Sequence, residues 1–320
     1  MRAIQVTEHG GPEVLELVEM AEPVAGEGEV VVDVAAAGLN YIDTYQRSGA
    51  YPIDTPFVLG REGSGTVREV GPGVEGVSVG DRVAWKACLG SYAESVAIPA
   101  AEAVPIPEGI DVDVAAATML QGLTAHSLAT STYPVQEGDW VVVHAAAGGV
   151  GQLLTQIVKL RGGRVLATTS TPEKAALATG AGADRVVTYE DLPAAAMELT
   201  EGLGVAAVYD GVGRATFDAS LDALRIRGML VLYGAASGPV PRFDPQRLNS
   251  AGGVFLTRPS VGHYTRDRQE LLMRTDELFG WIADGTLRVQ IGHRFPLAET
   301  AQAHRDLEGR KTTGKVLLFP

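Results

Sequence analysis

Residues 144–152 read HAAAGGVGQ, preceded by Trp140-Val141-Val142-Val143 and followed by a run from Leu153 to Leu160 whose apolar residues recur at helical spacing. A strand that sheds its side chains at the tip and then starts a helix presents bare backbone N–H groups at the positive end of a helix dipole. That is a receptor for an anion. The stretch Ala146-Ala147-Gly148-Gly149-Val150-Gly151 matches G-x-G-x-x-G with alanine in the first place. In that pattern the middle glycine, Gly148, lets a pyrophosphate lie against the backbone, and the last, Gly151, lets the helix pack close to the strand. Gly149 and Val150 would offer their amides. Many glycines only make turns. Here the strand before, the helix after and a second strand on schedule favour a dinucleotide.

The second strand candidate, Arg164-Val165-Leu166-Ala167-Thr168-Thr169, ends roughly 20 residues past the glycines, where an NAD site carries Asp or Glu for the ribose hydroxyls. This chain has Thr168, Thr169, Ser170 and Thr171 there, with Lys174 a turn later. Hydroxyls and an ammonium suit a 2′-phosphate, which a carboxylate would repel. The sequence therefore predicts NADPH, with Thr169, Ser170 and Lys174 as the discriminating contacts. Lys174 also has an ordinary reading, as a solvated helix lysine.

These residues need a frame. From about residue 139, strand-like runs at Trp140–His144, Arg164–Thr168, Arg185–Thr188, Val205–Tyr209 and Met229–Tyr233 alternate with helical patterns. Such alternation predicts a parallel sheet covered by helices on both faces. Thr171-Pro172-Glu173 is a helix start, with a cap residue, proline at the first helical position and an early acid. Residues 1–100 read differently. Runs at Val14–Val18, Glu29–Val34 and Gly65–Val70, punctuated by Gly10-Gly11-Pro12, Gly71-Pro72-Gly73 and Gly80-Asp81, predict a barrel-like β domain with little helix. Val112–Ser131 and Gln269–Ala283 look helical, and Lys315–Phe319 looks like a terminal strand that could return to the first domain.

The chain has 320 residues, 46% hydrophobic and 20% charged, as in an ordinary globular protein of one or two domains. Its formal charge of −13 disfavours binding to a phosphate backbone, so no nucleic-acid partner is expected. No apolar run is long enough to span a membrane, and the start, MRAIQVTEHG, carries no apolar signal core, so a cytoplasmic protein with no membrane partner is expected. The single cysteine, Cys88, excludes a disulfide framework and a four-thiolate zinc site. Its bland reading is a small buried residue.

Several stretches together carry a resemblance. They are GLNYIDTY at 38–45, Arg47-Ser48-Gly49, GREGSG at 60–65, GDRV at 80–83, GLTA at 122–125, His144–Gly151, YDGVG at 209–213 and TRPS at 257–260. In order and spacing, over nearly the whole chain, this resembles the NADPH-dependent quinone oxidoreductases (zeta-crystallin-like) of the zinc-free medium-chain dehydrogenase/reductase superfamily. The resemblance implies an α/β protein. A Rossmann doubly wound parallel sheet at 121–260 would accompany a GroES-like β-barrel-type catalytic domain made from 1–120 and 261–320. It also implies a homodimer joined through edge strands, with NADPH in a cleft between the domains.

Zinc-dependent relatives carry a cysteine and a histidine or similar residue in the stretch resembling Gly38–Asp43, and Gly-His-Glu in the stretch resembling Gly60–Glu62. Here those places hold Asn40, Tyr41 and Arg61, leaving Glu62 alone, so no metal is expected. The resemblance places Asn40, Tyr41, Asp43 and Tyr45 near the nicotinamide. Tyr45 is the candidate proton donor to a developing oxyanion, and Asn40 the candidate orienting group. Tyr45 has a packing role as its alternative, and Tyr51 is a candidate for the pocket wall. Thr124, Tyr189, Val212, Gly234 and Lys315 fall where the family lines its cofactor site. Phe255 and Arg258 are weaker candidates, with core packing as the alternative. His144 ends the first strand and is expected to satisfy buried hydrogen bonds. The substrate would be a small quinone or enone. The nearest rival activity is 2-alkenal or enoyl (enone double-bond) reduction, and an NADPH-binding protein without catalysis is the rival of a different class.

Overall fold

The strand Trp140–Val143 lies at the middle of a six-stranded parallel sheet in a computed structural model that describes residues 1–320. Across the sheet the order is Arg185–Val187, Arg164–Thr168, Trp140–Val143, Val205–Asp210, Leu224–Leu232 and Phe255–Thr257. The central strands are almost wholly apolar and buried, because helices such as Gly149–Leu160, Pro172–Gly180 and Phe217–Asp222 alternate with them along the chain. The sheet is the doubly wound Rossmann arrangement. Chain order reverses at Trp140–Val143, whose neighbours are Arg164–Thr168 and Val205–Asp210. That reversal is where open α/β sheets bind ligands, beyond the carboxyl ends of the strands. Thr171 caps the helix Pro172–Gly180 by accepting from the N–H of Lys174 at 3.3 Å, as the sequence pattern predicts.

The sheet belongs to one of two compact units, Gln121–Thr265. The other is formed by Met1–Leu120 with Arg266–Pro320. Its main sheet is antiparallel around the long strand Glu29–Leu39, which pairs with Gly63–Val70, Ser95–Pro99 and the terminal strand Lys315–Phe319. Leu39 faces Val316 in that last pairing, so Lys315 arrives beside the end of Glu29–Leu39. The core behind these strands includes Trp85, Tyr92, Ile4, Leu59 and Ile98, all buried. This is the GroES-like part of the chain. No helix in the protein is long and apolar enough to cross a membrane.

The structure departs from the sequence reading in two places that matter. A helix, Tyr41–Arg47, follows the long strand in a region expected to hold little helix. It is too short for a periodic pattern, but Asn40-x-x-Asp43 is a capping-box spacing, and the Asp43 carboxylate accepts the N–H of Asn40 at 2.8 Å. The strand expected to start at Met229 starts at Leu224. Arg225 and Arg227 interrupt the apolar pattern there. The ladder shifts register opposite Val205–Ala207, and Arg227 takes φ +59°.

Candidate functional site

The carboxyl ends of the parallel strands bring together most of the residues singled out for the dinucleotide. At the end of Trp140–Val143 the loop turns back through a hydrogen bond from Gly148 N–H to the Ala145 carbonyl at 2.9 Å. The helix then starts at Gly149 with Gly148 as its N-cap. A methyl on Gly151 would stand 2.5 Å from the Ala145 carbonyl oxygen and 2.7 Å from the Cα of Ala146, so only glycine allows the helix this close to the tip. A methyl on Gly149 would collide with the side chain of Gln121 instead. Gly148 is the least hemmed in, with only the Ala145 oxygen at 3.2 Å from such a methyl. Its place at the cap leaves that side of the backbone open to a ligand. Val150 sits in the first helical turn, where N–H groups lack helical partners.

At the next strand end Thr168 is fully buried, Thr169 is buried with its N–H on the Val187 carbonyl at 3.2 Å, and Ser170 is exposed. Lys174 is half-buried in the first turn of the following helix. A carboxylate, Glu173, also stands in that turn. It is already held by its own backbone N–H and the Thr171 hydroxyl, which keep it below the usual glutamate range. Tyr189 follows the third strand and meets the His144 ring edge-on, with ring centres 5.6 Å apart. Val212 is buried and donates its N–H to Asp210 Oδ1 at 2.8 Å, and Gly234 backs so closely on Gly211 that a methyl there would strike the Gly211 carbonyl. Thr124 is half-buried on the helix Val112–Ser127.

Phe255 does not join this group. It pairs with Met229, which is level with Ala207 and Val141, so it lies at the amino end of the edge strand rather than at the carboxyl ends, and its side chain is 57% exposed. Arg258, at the carboxyl end of that strand, donates to the Tyr233 carbonyl at 2.8 Å.

In the unit built from both ends of the chain, Asn40, Asp43, Glu62, Tyr92 and Lys315 form a buried polar cluster. Lys315 Nζ binds Glu62 Oε1 and, at 3.1 Å, Asn40 Oδ1. Asn40 Nδ2 donates to the same Glu62 oxygen at 2.6 Å, and Leu120 N–H donates to the other at 2.6 Å. Gly38 has no room for a side chain because its Cβ would enter the Glu62 carboxylate. Asp43 lies deeper. Its Oδ2 takes the Asn40 N–H and, at 2.8 Å, the Tyr92 hydroxyl, so its side chain secures the helix start from inside. Tyr41, Tyr45 and Tyr51 form an aromatic row, with ring centres 6.3 and 5.2 Å apart, and the Tyr41 hydroxyl donates to the Leu307 carbonyl at 3.1 Å. Sequence reasoning missed Tyr92 as a partner of Asp43 and the pairing of Glu62 with Lys315. Each joins residues far apart in the chain, and no local pattern marks them.

Zinc does not fit this cluster. No group of three His, Cys, Asp or Glu side chains could hold a metal ion, and the Glu62 carboxylate is already matched by the Lys315 ammonium.

Burial raises the Asp43 carboxyl from 3.8 to about 7. The Tyr92 and Asn40 hydrogen bonds and Lys315 oppose the rise, and Glu62 adds to it. A carboxyl raised on folding contributes stability below its unfolded pKa and loses it as pH climbs to the folded value. Between pH 5 and pH 8 the protein should therefore lose about 2–3 kcal/mol relative to Asp43→Asn, which does not titrate. Urea unfolding of both forms across that range measures the gap, and a gap constant with pH contradicts a carboxyl raised by burial.

The sequence matches the family described as alcohol dehydrogenase GroES-like domain over residues 26–108, and the family described as zinc-binding dehydrogenase over 149–274. A protein from Pseudomonas aeruginosa named quinone oxidoreductase is 44% identical, with 100% of this chain and 99% of that one covered. Two solved structures, both described as complexed with NADPH, superpose with a TM-score of 0.98 over the full length of each chain. One is a mycobacterial protein at 52% identity and the other the Escherichia coli quinone oxidoreductase at 40%. The fold, the glycine loop and these full-length similarities place the chain in the quinone oxidoreductase family of the medium-chain dehydrogenase/reductase superfamily.

Proposed function

We propose that this protein reduces quinones with NADPH, by hydride transfer and without a metal. The observation that carries the reading is the end of the strand Arg164–Thr168. There Thr169, Ser170 and Lys174 gather hydroxyls and a cation at the place that distinguishes the two nicotinamide cofactors, next to a glycine loop shaped for a diphosphate. NADPH supplies the hydride when bound. The chain's own part is to bind and orient. Gly148, Gly149 and Val150 offer backbone amides to the diphosphate. Ser170, Lys174 and Tyr189 receive the adenosine end, and Thr124, Val212 and Gly234 line the remainder. In the other unit Asn40, Tyr41 and Lys315 are the candidate cofactor contacts, with Asn40 held in one orientation by Glu62 and Lys315. Tyr45 is the candidate donor of a hydrogen bond to the acceptor oxygen. Asp43 contributes from beneath, through the helix start. A quinone is electrophilic without protein help, which suits a site that has few acids to offer.

Lys174→Ala should weaken NADPH binding about 10- to 100-fold, the worth of one charge-assisted hydrogen bond, and leave NADH binding nearly unchanged. Equal losses for both would remove the basis for NADPH. The natural acceptor class follows from turnover with 1,4-benzoquinone against a conjugated enone, and the proposal expects the quinone to be preferred. We also propose a cytoplasmic homodimer. The edge strand Phe255–Thr257 leaves one side unpaired, with Phe255 and Ile226 exposed beside it. A sedimentation mass near that of the single 33.5 kDa chain would rule the dimer out.

A further inference from the structure

We infer that His144 is a positioning residue that holds the glycine loop in its binding shape by tying together the carboxyl ends of three parallel strands. The inference rests on reading that loop as the diphosphate site. Ala145, the first residue of the loop, takes φ +48°, a left-handed conformation that a side chain disfavours. Glycine would adopt it freely, and the loop has glycines at Gly148, Gly149 and Gly151 but not here. Something must therefore hold Ala145 in place.

The neighbour does. His144 is fully buried and both of its ring nitrogens are engaged, Nδ1 with Thr168 Oγ1 at 2.8 Å and Nε2 with Ser220 Oγ at 2.9 Å. The direction of each bond follows from Asp210, whose carboxylate can only accept. Asp210 takes the N–H groups of Val212 and Gly213 on Oδ1, and the hydroxyls of Thr216 and Ser220 on Oδ2 at 2.7 and 3.0 Å. The one proton of Ser220 goes to Asp210, so Ser220 accepts from Nε2–H of His144. Nδ1 of the neutral ring then accepts the Thr168 proton. Burial favours that neutral ring, against the pull of Asp210. The ring cannot turn without leaving buried polar groups unpaired.

Hydrogen bonds thus run without a break from the second strand, through the end of the first, to the end of the fourth. Those strands flank the reversal in chain order. The loop is pinned at further points, by Ala146 N–H on the Thr168 carbonyl at 3.2 Å and by Gln152 Nε2 on the Ala147 carbonyl at 2.8 Å. The strained residue is held from both sides, by bonds made within the protein.

The test compares His144→Leu with the double variant His144→Leu/Ala145→Gly in two measurements: NADPH and NADH dissociation constants, and amide exchange of Gly148–Gly151 in the cofactor-free protein. His144→Leu should weaken both cofactors by a similar factor of about ten and speed the exchange. The added glycine, which needs no support at positive φ, should bring both readouts back to within about threefold of the wild type. Thr168→Val cuts one link alone and should show the same pattern at smaller size, so it serves if His144→Leu does not fold. Nitrogen spectra of the imidazole at pH 8 should show a neutral ring protonated on Nε2, the tautomer that the Ser220 and Thr168 contacts require. Unchanged cofactor affinity in His144→Leu, no recovery on adding glycine, or a neutral ring protonated on Nδ1 instead of Nε2 would overturn the inference. If the wild type binds neither cofactor, the reading of the site fails, and the exchange measurement alone still decides whether His144 holds the loop.

Discussion

Lys315→Met should lower the stability of the unit formed by Met1–Leu120 and Arg266–Pro320 by about 3–5 kcal/mol, the cost of leaving one member of a buried ion pair without its partner. Glu62 is completely buried, and its remaining donors, Asn40 Nδ2 and Leu120 N–H, are neutral. Neither replaces a cation at low dielectric. The double variant Lys315→Met/Glu62→Gln should regain most of the loss, because a neutral amide no longer needs a counter-charge and can still accept from Leu120. Urea unfolding of the single and double variants measures the coupling. If the double variant is as unstable as the sum of the two single changes, the pair is not the coupled unit described above.

Gly151→Ala should cost about 1–3 kcal/mol of stability and weaken NADPH binding by tenfold or more, because the new methyl meets backbone atoms that no rotamer change can clear. The contacts are the Ala145 carbonyl at 2.5 Å and the Ala146 Cα at 2.7 Å, so relief requires moving the loop itself. Gly148→Ala separates fold from function. Its methyl would find only one neighbour, at 3.2 Å, so the fold should survive while NADPH binding falls. Thermal unfolding paired with calorimetric titration checks both variants. Normal NADPH affinity in Gly148→Ala would mean that this glycine serves the turn and not a diphosphate.

The parallel sheet was legible because each buried strand is a short apolar run set off by helical spacing, and the glycine tip, Thr171-Pro172 and Lys174 announce themselves over a few residues. The interior pairs were not legible. Asp43 meets Tyr92, Glu62 meets Lys315, and His144 reaches Asp210 through Ser220, all across long stretches of chain. Such contacts are set by strand pairing, as when Leu39 faces Val316, and leave no periodic trace. The helix Tyr41–Arg47 was hidden by its length, although its capping spacing was present in the sequence. Phe255 was a weaker candidate with core packing as its alternative, and the register of the edge strand sets it level with Val141, at the amino end of the strand.

The most direct test of metal-free, NADPH-dependent quinone reduction is NADPH oxidation with 1,4-benzoquinone, or with 9,10-phenanthrenequinone, by protein dialysed against a chelator and assayed for metal. The account predicts turnover undiminished by the chelator, no stoichiometric zinc, and NADPH strongly preferred over NADH. Activity that requires added zinc, or that runs equally well on NADH, would contradict it.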